Sequence, residues 1–339
     1  MLSPAFRTTL LTWYDTNARN LPWRRTDDPY RIWISEIMLQ QTRVTAVLDY
    51  YARFLKLFPS VAALAKAKEP DVLAAWSGLG YYRRAKQMHK AAQAIVQDHN
   101  AHLPTTAAEL RTLPGIGDYT SSAIASIAFG EPVAVVDGNV ERVLLRLFQE
   151  DQPTSPTAQK NWFRDHANSL LDPQRPGDFN QSMMELGATI CLPQRPLCLQ
   201  CPVHNFCATR GEHPTAPPKK MRNQLVAYAL LRRQKAGATQ VLLEQRPASA
   251  SLMPGMWELP EVALQNTDRA EITLRHAITV TNYRVHVLSL SQAEAEHRWA
   301  ARRYPRKWAK PSDLVTLPLT GLARKVLQRL QLMPAREVR

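Results

Sequence analysis

Four cysteines are the residues of this chain whose spacing points most clearly to chemistry. All four cysteines of the 339-residue sequence lie between Cys191 and Cys207, in the pattern C-x6-C-x2-C-x5-C. Thiolates gathered in one short segment suit a metal ion or an iron–sulfur cluster. Disulfides are disfavoured in an intracellular chain, and structural zinc usually takes two close pairs, of which Cys198 and Cys201 form the only one. The pattern therefore favours a [4Fe–4S] cluster bound by all four cysteines, with zinc as the rival.

Two carboxylates stand out by their surroundings. Glu36 lies in the apolar segment Trp33–Leu39, where a helical carboxylate either lines a pocket or sits at a partly exposed position. Asp137 precedes the helical segment 139–148, and aspartate there commonly caps a helix N-terminus. The residues alone leave both interpretations open for each side chain.

A glycine-rich turn separates two helical segments at residues 113–117, which read Leu-Pro-Gly-Ile-Gly. Gly115 and Gly117 permit a tight turn and a close backbone approach, and the next helix offers free N–H groups to an anion. This arrangement predicts a helix-hairpin-helix element that holds DNA through its phosphates. An ordinary turn between helices uses the same residues, so the turn alone is weak evidence. The cysteine segment further along the chain makes the helix-hairpin-helix interpretation more specific.

The elements that must position these residues change in character along the chain. Most of residues 3–148 has apolar residues at three- and four-residue steps, which is typical of helices. The proline-rich stretch 211–222 predicts a linker. Beyond it the pattern predicts strands and a closing amphipathic helix, at residues 224–233, 239–246, 283–291 and 321–331. We therefore predict a mostly α domain over residues 1–210 and an α+β domain over residues 223–339.

The chain is strongly basic and unevenly so. Lys and Arg number 43 against 29 acidic residues, a net charge of +14. Residues 1–210 contain 22 basic and 19 acidic residues, whereas residues 211–339 contain 21 and 10. Such a charge predicts a polyanionic partner such as nucleic acid. No apolar run approaches the ~18 residues of a membrane helix and no signal peptide is evident, so we expect a soluble, intracellular protein.

These motifs together resemble the endonuclease III (HhH-GPD) superfamily of DNA glycosylases over roughly residues 5–210. Within it the sequence is most similar to the A/G-specific adenine glycosylases of the MutY family. The motifs that carry the similarity are PWR (22–24), WISEIMLQQT (33–42), GLGYYRRA (78–85), LPGIGDYT (113–120), VDGNV (136–140) and FNQSMMELGATIC (179–191). Beyond the linker, LMPGMWELP (252–260) resembles the C-terminal domain of that family, which has a MutT-like (Nudix-like) fold.

The resemblance implies roles for four residues in cleavage of a glycosidic bond. Glu36 would protonate the adenine ring, because adenine leaves poorly unless it is protonated. Asp137 would stabilise the positive charge that develops on the sugar, and Asn139 would orient Asp137. Tyr119 stands where strand-cutting relatives have a lysine that forms a Schiff base. A monofunctional glycosylase follows from that difference.

The resemblance also implies a set of DNA contacts. A base that is flipped out leaves a gap in the stack, which a wedge must fill. Gln41 and Tyr81 would enter the duplex there. Trp23, Arg24 and Leu39 would line the adenine pocket or its edge. The [4Fe–4S] cluster would be structural and would help to position DNA, because four cysteine ligands leave no iron site open to substrate.

The C-terminal domain lacks the run of glutamates by which MutT-like enzymes bind metal and hydrolyse nucleotides, so we reject that activity. We expect it to inspect the base opposite the adenine, with 8-oxoguanine as the lesion. Thr281 and Asn282 match the family's Phe-Ser/Thr-His loop, but Asn282 replaces the histidine. Asn still donates and accepts hydrogen bonds, so the strength of lesion preference stays open. The segment 298–310 has six basic and three aromatic residues, which suits phosphate contact.

The sequence thus predicts a monomeric, nucleoid-associated enzyme of base excision repair that removes adenine mispaired with 8-oxoguanine or guanine in double-stranded DNA. Three alternatives remain. A thymine mismatch glycosylase of the same superfamily can also carry Tyr at position 119. A lyase for oxidised pyrimidines is disfavoured by that tyrosine. A non-catalytic DNA-binding or redox-sensing iron–sulfur protein is disfavoured by the presence of both Glu36 and Asp137.

Overall fold

A computed structural model describes residues 4–149, 153–211, 220–235, 237–278, 280–299 and 304–333. These residues form two compact units. The first comprises the described residues of 4–51, 58–65 and 90–211, and the second those of 52–57, 66–89 and 220–333. The predicted 1–210 domain is therefore divided, because two of its segments pack with the C-terminal part. Most of the predicted linker lies outside the described residues.

The N-terminal two-thirds are helical, as the apolar periodicity predicts. The helices are α1 (Pro4–Asn17), α2 (Pro29–Leu39), α3 (Val44–Leu57), α4 (Val61–Lys66), α5 (Glu69–Trp76), α6 (Arg83–Asp98), α7 (Ala107–Leu110), α8 (Asp118–Phe129), α9 (Gly138–Phe148), α10 (Pro156–Leu170) and α11 (Pro176–Thr189). Short 3-10 turns occur at Pro22–Arg24, Cys198–Gln200 and His204–Phe206. No helix in the described ranges is both long and apolar enough to cross a membrane.

Local signals explain where the helices near the site begin. In α2, Asp28 caps the N-terminus by accepting N–H groups from Tyr30 and Arg31, and Pro29 occupies the first turn. Helix α8 begins after Gly117 and ends at Gly130, which adopts the left-handed conformation. One core joins α1, α9, α10 and α11 through side chains such as Phe6 and Leu144. Burial of this shared apolar face fixes the crossing of α9 and α11.

The second unit contains two sheets. Its strands are β1 (Arg222–Leu230), β2 (Arg232–Lys235), β3 (Ala238–Gln245), β4 (Trp257–Glu258), β5 (Glu261–Val262), β6 (Ile272–Ile278), β7 (Thr281–Ser289) and β8 (Arg306–Ala309), and its helices include α12 (Gln292–Arg298), α13 (Pro311–Thr316) and α14 (Gly321–Arg329). One sheet has the order β5-β1-β7-β6, with β1 and β7 parallel; in the other, β3 pairs with β2, β4 and β8. The predicted α+β class is confirmed.

Candidate active site

Glu36 occupies a buried position on α2, with 5% of its surface exposed. The hydroxyl of Tyr119, on α8, donates a hydrogen bond to Glu36 Oε2 at 2.6 Å. Burial raises the pKa of the Glu36 carboxyl to about 7; the bond from Tyr119 opposes this rise and the charge of Asp137 adds to it. A carboxyl with this pKa is protonated in a large fraction of molecules at neutral pH, so Glu36 can act as a general acid.

Tyr119 lies at the start of α8 and is influenced by the charges of both carboxylates. Burial, followed by the charges of Glu36 and Asp137, raises its pKa well above 10. The phenol therefore stays protonated and serves only as a hydrogen-bond donor at neutral pH. A further link between α2 and α8 runs from Gln40 Nε2 to Thr120 Oγ1 at 3.0 Å. These bonds fix the two helices that carry the acid and its donor.

Asp137 caps the N-terminus of α9, so the helix-cap interpretation is correct. Its Oδ1 accepts the N–H groups of Asn139 and Val140 at 2.9 and 2.8 Å. Its Oδ2 accepts from Asn139 Nδ2 at 2.9 Å. The cap and a catalytic role are compatible, because these bonds hold the carboxylate in one orientation while its charge remains available.

Asn139 is itself held in place by α11 and by Arg142. The guanidinium of Arg142 donates to Asn139 Oδ1 at 2.9 Å, to the Gly187 carbonyl at 2.7 Å and to the Cys191 carbonyl at 2.8 Å. Gly187 allows α11 to approach closely, because a Cβ there would lie 2.6 Å from Asn139 Cβ. Neither support is evident from the sequence. The motif 179–191 contains Gly187, but nothing in the sequence says which residue it faces.

Glu185 is a second buried carboxylate that the sequence analysis did not single out. Its oxygens accept hydrogen bonds from Arg19 Nε and Nη2 at 2.7 and 2.6 Å, and from Arg24 Nη2 at 2.8 Å. Burial alone would raise the pKa of Glu185, but the two guanidinium groups outweigh it and lower the pKa to about 2. Glu185 therefore stays ionised where Glu36 is protonated in part.

The residues predicted to line an adenine pocket have separate surroundings. Trp23 is buried and packs edge-on against Tyr51, with ring centroids 5.3 Å apart. Arg24 bonds Glu185 and the Arg19 carbonyl. A cavity in the first unit is lined by both Trp23 and Arg24, but not by Glu36 or Leu39. Their contact with adenine stays a prediction.

Both predicted wedge residues have left-handed backbones. Gln41 is exposed with φ 54°, and Tyr81 is 47% exposed with φ 48°. Such values are uncommon for residues other than glycine and mark conformations that the surrounding structure must hold. The two residues belong to different units. Their exposure suits a wedge, and the role itself stays a prediction.

The LPGIG segment forms a turn between α7 and α8, as predicted. Gly115 has φ 76° and Gly117 immediately precedes α8. Both glycines are exposed, and a Cβ on Gly117 would meet nothing within 4 Å. Asp118 at the start of α8 is bonded by Arg111 and Lys160. The N-terminal N–H groups of α8 suit a phosphate, whereas both cations are paired with Asp118.

The cysteine segment follows α11 and packs on the first unit's core. Cys191, Cys198, Cys201 and Cys207 are all free of disulfides and line one cavity together with Arg146. The buried Arg146 guanidinium donates to Cys191 Sγ at 3.2 Å and to the Leu192 carbonyl at 2.7 Å. Four soft donors beside a buried cation fit a negatively charged iron–sulfur group. In the described residues no group of three or more His, Cys, Asp or Glu is placed to hold a metal ion.

The predicted lesion-recognition residues lie at the start of β7. Thr281 and Asn282 pair with Arg222 and Asn223 of β1. Asn282 is exposed, and its Nδ2 donates to Asn223 Oδ1 at 3.4 Å. An exposed amide at a strand end can reach a ligand, so the role stays a prediction. In the basic segment 298–310, residues 300–303 lie outside the described residues.

Comparison with protein families matches residues 34–163 to the HhH-GPD superfamily base excision DNA repair proteins. Among relatives, the adenine DNA glycosylase of Schizosaccharomyces pombe is 33% identical over 319 residues, which cover 76% of this chain and 69% of the relative. The human adenine DNA glycosylase is 38% identical over 325 residues, which cover 79% of this chain and 59% of the relative. The chain thus spans about three fifths of the length of its mammalian relatives.

Two solved structures resemble the helical region. A thermostable thymine-DNA glycosylase has a TM-score of 0.57 and 30% identity, and the match covers 61% of this chain and 95% of that one. A trapped endonuclease III–DNA covalent intermediate has a TM-score of 0.53 and 20% identity, with 62% and 98% covered. The second match supports the fold alone.

Proposed function

The chain belongs to the adenine DNA glycosylases of the MutY family, and from that premise we propose that it is a monofunctional glycosylase that removes adenine mispaired with 8-oxoguanine or guanine. Its substrate is double-stranded DNA and its product is an abasic site. The observation that carries the proposal is Glu36, a buried carboxyl whose pKa of about 7 is raised in part by the charge of Asp137, the carboxylate fixed at the N-terminus of α9. One acid and one fixed anion are what cleavage of a purine–sugar bond requires.

The proposed reaction begins with proton transfer from Glu36 to a ring nitrogen of the flipped adenine. The bond between the base and C1′ then breaks, and its electrons leave with the base as neutral adenine. Tyr119 holds Glu36 Oε2, which leaves the other oxygen to carry the proton. Burial keeps bulk water away from this proton before the substrate arrives.

The role proposed for Asp137 is to stabilise positive charge on the sugar. As the base departs, positive charge develops on the sugar, and an ionised carboxylate at a fixed position stabilises it. The bonds from Asn139 and Val140 hold Asp137 without neutralising it. Water then adds to C1′, and Glu36, now a carboxylate, accepts the proton that the water loses. Because residue 119 is tyrosine, no amine at that position forms a Schiff base, and the strand stays intact.

We propose that Cys191, Cys198, Cys201 and Cys207 hold a [4Fe–4S] cluster. The bound cluster would make the segment rigid and charged, and it would take no part in the reaction. Its support is the set of four free thiols around one cavity and the Arg146 bond to Cys191 Sγ. Arg142 links this segment to Asn139, because its guanidinium donates to both the Cys191 carbonyl and Asn139 Oδ1. Loss of the segment's order would therefore disturb Asp137 indirectly.

The thymine mismatch reaction is the second candidate, because the similar thermostable structure is a thymine-DNA glycosylase. Glu36 favours adenine. A protonated acid aids departure of a base through its ring nitrogen, and thymine offers no comparably basic site. The second unit, with Thr281 and Asn282 at the start of β7, supports inspection of the opposite base, for which 8-oxoguanine is the proposed lesion.

The test uses Glu36→Gln and Asp137→Asn, with Glu141→Gln as the matched control in the first turn of α9. On a duplex with adenine opposite 8-oxoguanine, both site variants are expected to bind DNA but to lose about 10²- to 10⁴-fold in single-turnover base release. The control removes an exposed carboxylate next to the site and is expected to keep the wild-type rate. Wild-type rates in either site variant contradict the assigned roles.

A further inference from the structure

The loop between α5 and α6, residues 77–82, is unusually constrained within the second unit. Gly78 and Gly80 have φ of 98° and 81°, and the exposed Tyr81 between α5 and α6 has φ 48°. A left-handed conformation is unfavourable for a residue that has a Cβ, because the Cβ approaches the following carbonyl oxygen. The loop therefore keeps this shape only if other contacts outweigh the cost.

Part of the support is local. Trp76 Nε1 donates to the Gly80 carbonyl at 3.0 Å, and Arg84 Nη2 donates to the same carbonyl at 3.3 Å. The Arg84 guanidinium also lies 5.3 Å from the ring of Trp76 and 5.4 Å from that of Tyr81. These contacts orient the residue that precedes Tyr81 and one face of its ring.

The remaining support comes from a distant part of the chain. The carbonyl of Leu319 accepts the hydroxyls of Ser77 at 2.7 Å and of Tyr82 at 3.2 Å. Arg324 Nε, on α14, donates to Ser77 Oγ at 3.0 Å. Tyr82 in turn accepts the Gly78 N–H at 3.0 Å. All the side chains that make these bonds are at least 95% buried, so water cannot replace the bonds without opening the core.

Leu319 is itself anchored to the sheet. The Trp257 N–H donates to the Pro318 carbonyl and the Thr320 N–H donates to the Trp257 carbonyl, both at 2.9 Å. Trp257 lies on β4, which pairs with β3. A continuous set of hydrogen bonds therefore runs from the sheet through Leu319 to both ends of the loop that carries Tyr81.

We propose that Ser77, Tyr82 and Arg324, joined at the Leu319 carbonyl, form a latch by which the C-terminal part of the chain positions Tyr81 for insertion into DNA. The proposal rests on the proposed function and on the wedge role that the sequence resemblance implies for Tyr81. The three side chains are positioning residues and touch neither the base nor the sugar. Release of the latch lets the loop leave its left-handed conformation, so extrusion of the base weakens while the chemistry at Glu36 is unchanged.

The test is a double-mutant cycle in the full chain. The latch variant combines Ser77→Ala and Tyr82→Phe, which removes both hydroxyls from the Leu319 carbonyl and retains the buried ring at position 82 and the backbone. The matched control combines Ser182→Ala and Tyr30→Phe, buried residues whose hydroxyls donate to the carbonyls of Phe179 and Phe58 at 2.6 and 2.7 Å. Each pair is made with Tyr81 and with Tyr81→Ala. Thermal unfolding checks that latch and control variants are folded alike.

Single-turnover release of adenine opposite 8-oxoguanine is the first readout. With Tyr81 present, the latch variant is expected to be about tenfold slower than the control, the equivalent of one or two buried hydrogen bonds. In the Tyr81→Ala background the latch variant is expected to cause no further loss, because both changes remove the same function. An equal loss in both backgrounds overturns the proposal, since it means that the hydroxyls act independently of Tyr81.

A second readout does not depend on cleavage. In the Glu36→Gln background, a 2-aminopurine placed beside the target adenine becomes fluorescent when the stack opens. The control is expected to show the full increase in fluorescence when it binds DNA. The latch and Tyr81→Ala variants are expected to show a smaller increase. A full rise in the latch variant overturns the proposal. If the wild-type chain released no base from any duplex, the proposed function would fail, and this readout would still decide the latch.

Discussion

Glu36 and Glu185 show how the surroundings of one residue decide its chemistry. Both are buried carboxylates of the same unit, with 5% and 1% of their surfaces exposed. Glu185 accepts hydrogen bonds from two guanidinium groups and its pKa falls to about 2. Glu36 accepts a hydrogen bond from one phenol and its pKa rises to about 7. Burial favours the neutral form of both, and only arginine contact reverses it. The proposed proton donor therefore differs from Glu185 in lacking a direct guanidinium bond.

The first prediction concerns the pH dependence of the chemical step. Because protonated Glu36 is the active form in the proposed mechanism, single-turnover base release with saturating enzyme is expected to be fastest below pH 7 and to fall about tenfold per pH unit well above it. A series of rates from pH 5 to pH 9 measures this. A rate that rises through pH 7 would mean that Glu36 acts first as a base.

The second prediction concerns stability. The folded pKa of Glu36, about 7, exceeds the ordinary value of 4.5, so its ionisation destabilises the folded state as pH rises from 4.5 to 7. Glu36→Gln is therefore expected to raise the free energy of unfolding by about 2 to 3 kcal/mol at pH 8 and by little at pH 4. Urea unfolding at both pH values tests it. An equal effect at the two values would show that Glu36 titrates normally.

At the residue scale, the sequence shows most where a residue's own neighbours in the chain carry the signal. The apolar run around Glu36 and the helix after Asp137 singled out both carboxylates but left their positions open; the structure shows Glu36 to be buried and Asp137 to cap α9. Glu185 escaped notice because its partner Arg19 is distant in sequence, and no local pattern encodes that pairing. The same holds for Arg142, which donates to the carbonyls of Gly187 and Cys191, both distant in sequence.

At the scale of elements, the crossing of α9 and α11 controls the position of Asp137. Gly187→Ala is expected to destabilise the protein by about 1 to 3 kcal/mol and to slow base release, because the new Cβ would lie 2.6 Å from Asn139 Cβ. Gly138→Ala is the matched control for stability, since a Cβ there meets nothing within 4 Å. Thermal unfolding and single-turnover rates test the pair. Equal stability of the two variants would contradict the close approach of the helices.

The cysteine segment carries the fourth prediction. Protein purified without oxygen is expected to contain about four iron atoms and four acid-labile sulfides per chain, and Cys198→Ser is expected to lower both. Ala208→Ser, which adds a hydroxyl in the same segment without removing a thiol, serves as control. Elemental analysis distinguishes the outcomes. One zinc atom per chain and no sulfide would show that the four cysteines bind zinc and not an iron–sulfur cluster.

Helices and strands were largely predictable because their apolar periods are local. The segments 119–130, 139–148 and 321–331 are helical over most of their lengths, and 224–233, 239–246 and 283–291 are mostly strand. What periodicity could not predict is which helices pack together. Residues 66–89 read as helical and were assigned to the first domain, yet they group with the sheets. Bonds such as that of Ser77 to Leu319 span the chain and leave no trace in the pattern.

At the scale of the whole molecule, charge and chemistry are divided between parts of the chain. The carboxylates and the cysteines lie in the first unit, whereas residues 211–339 carry 21 basic and 10 acidic residues against 22 and 19 in residues 1–210. The excess near the C-terminus suits contact with DNA phosphates. In the proposed function, cleavage belongs to the first unit and inspection of the opposite base to the second.

Single-turnover base release on four duplexes tests the account most directly. The duplexes pair A with 8-oxoguanine, A with G, T with G, and 8-oxoguanine with C. The account predicts rapid release of adenine from the first two, and strands that remain intact until alkali is added. Release of thymine instead, or release from none of the four by protein that holds a complete cluster, would contradict it.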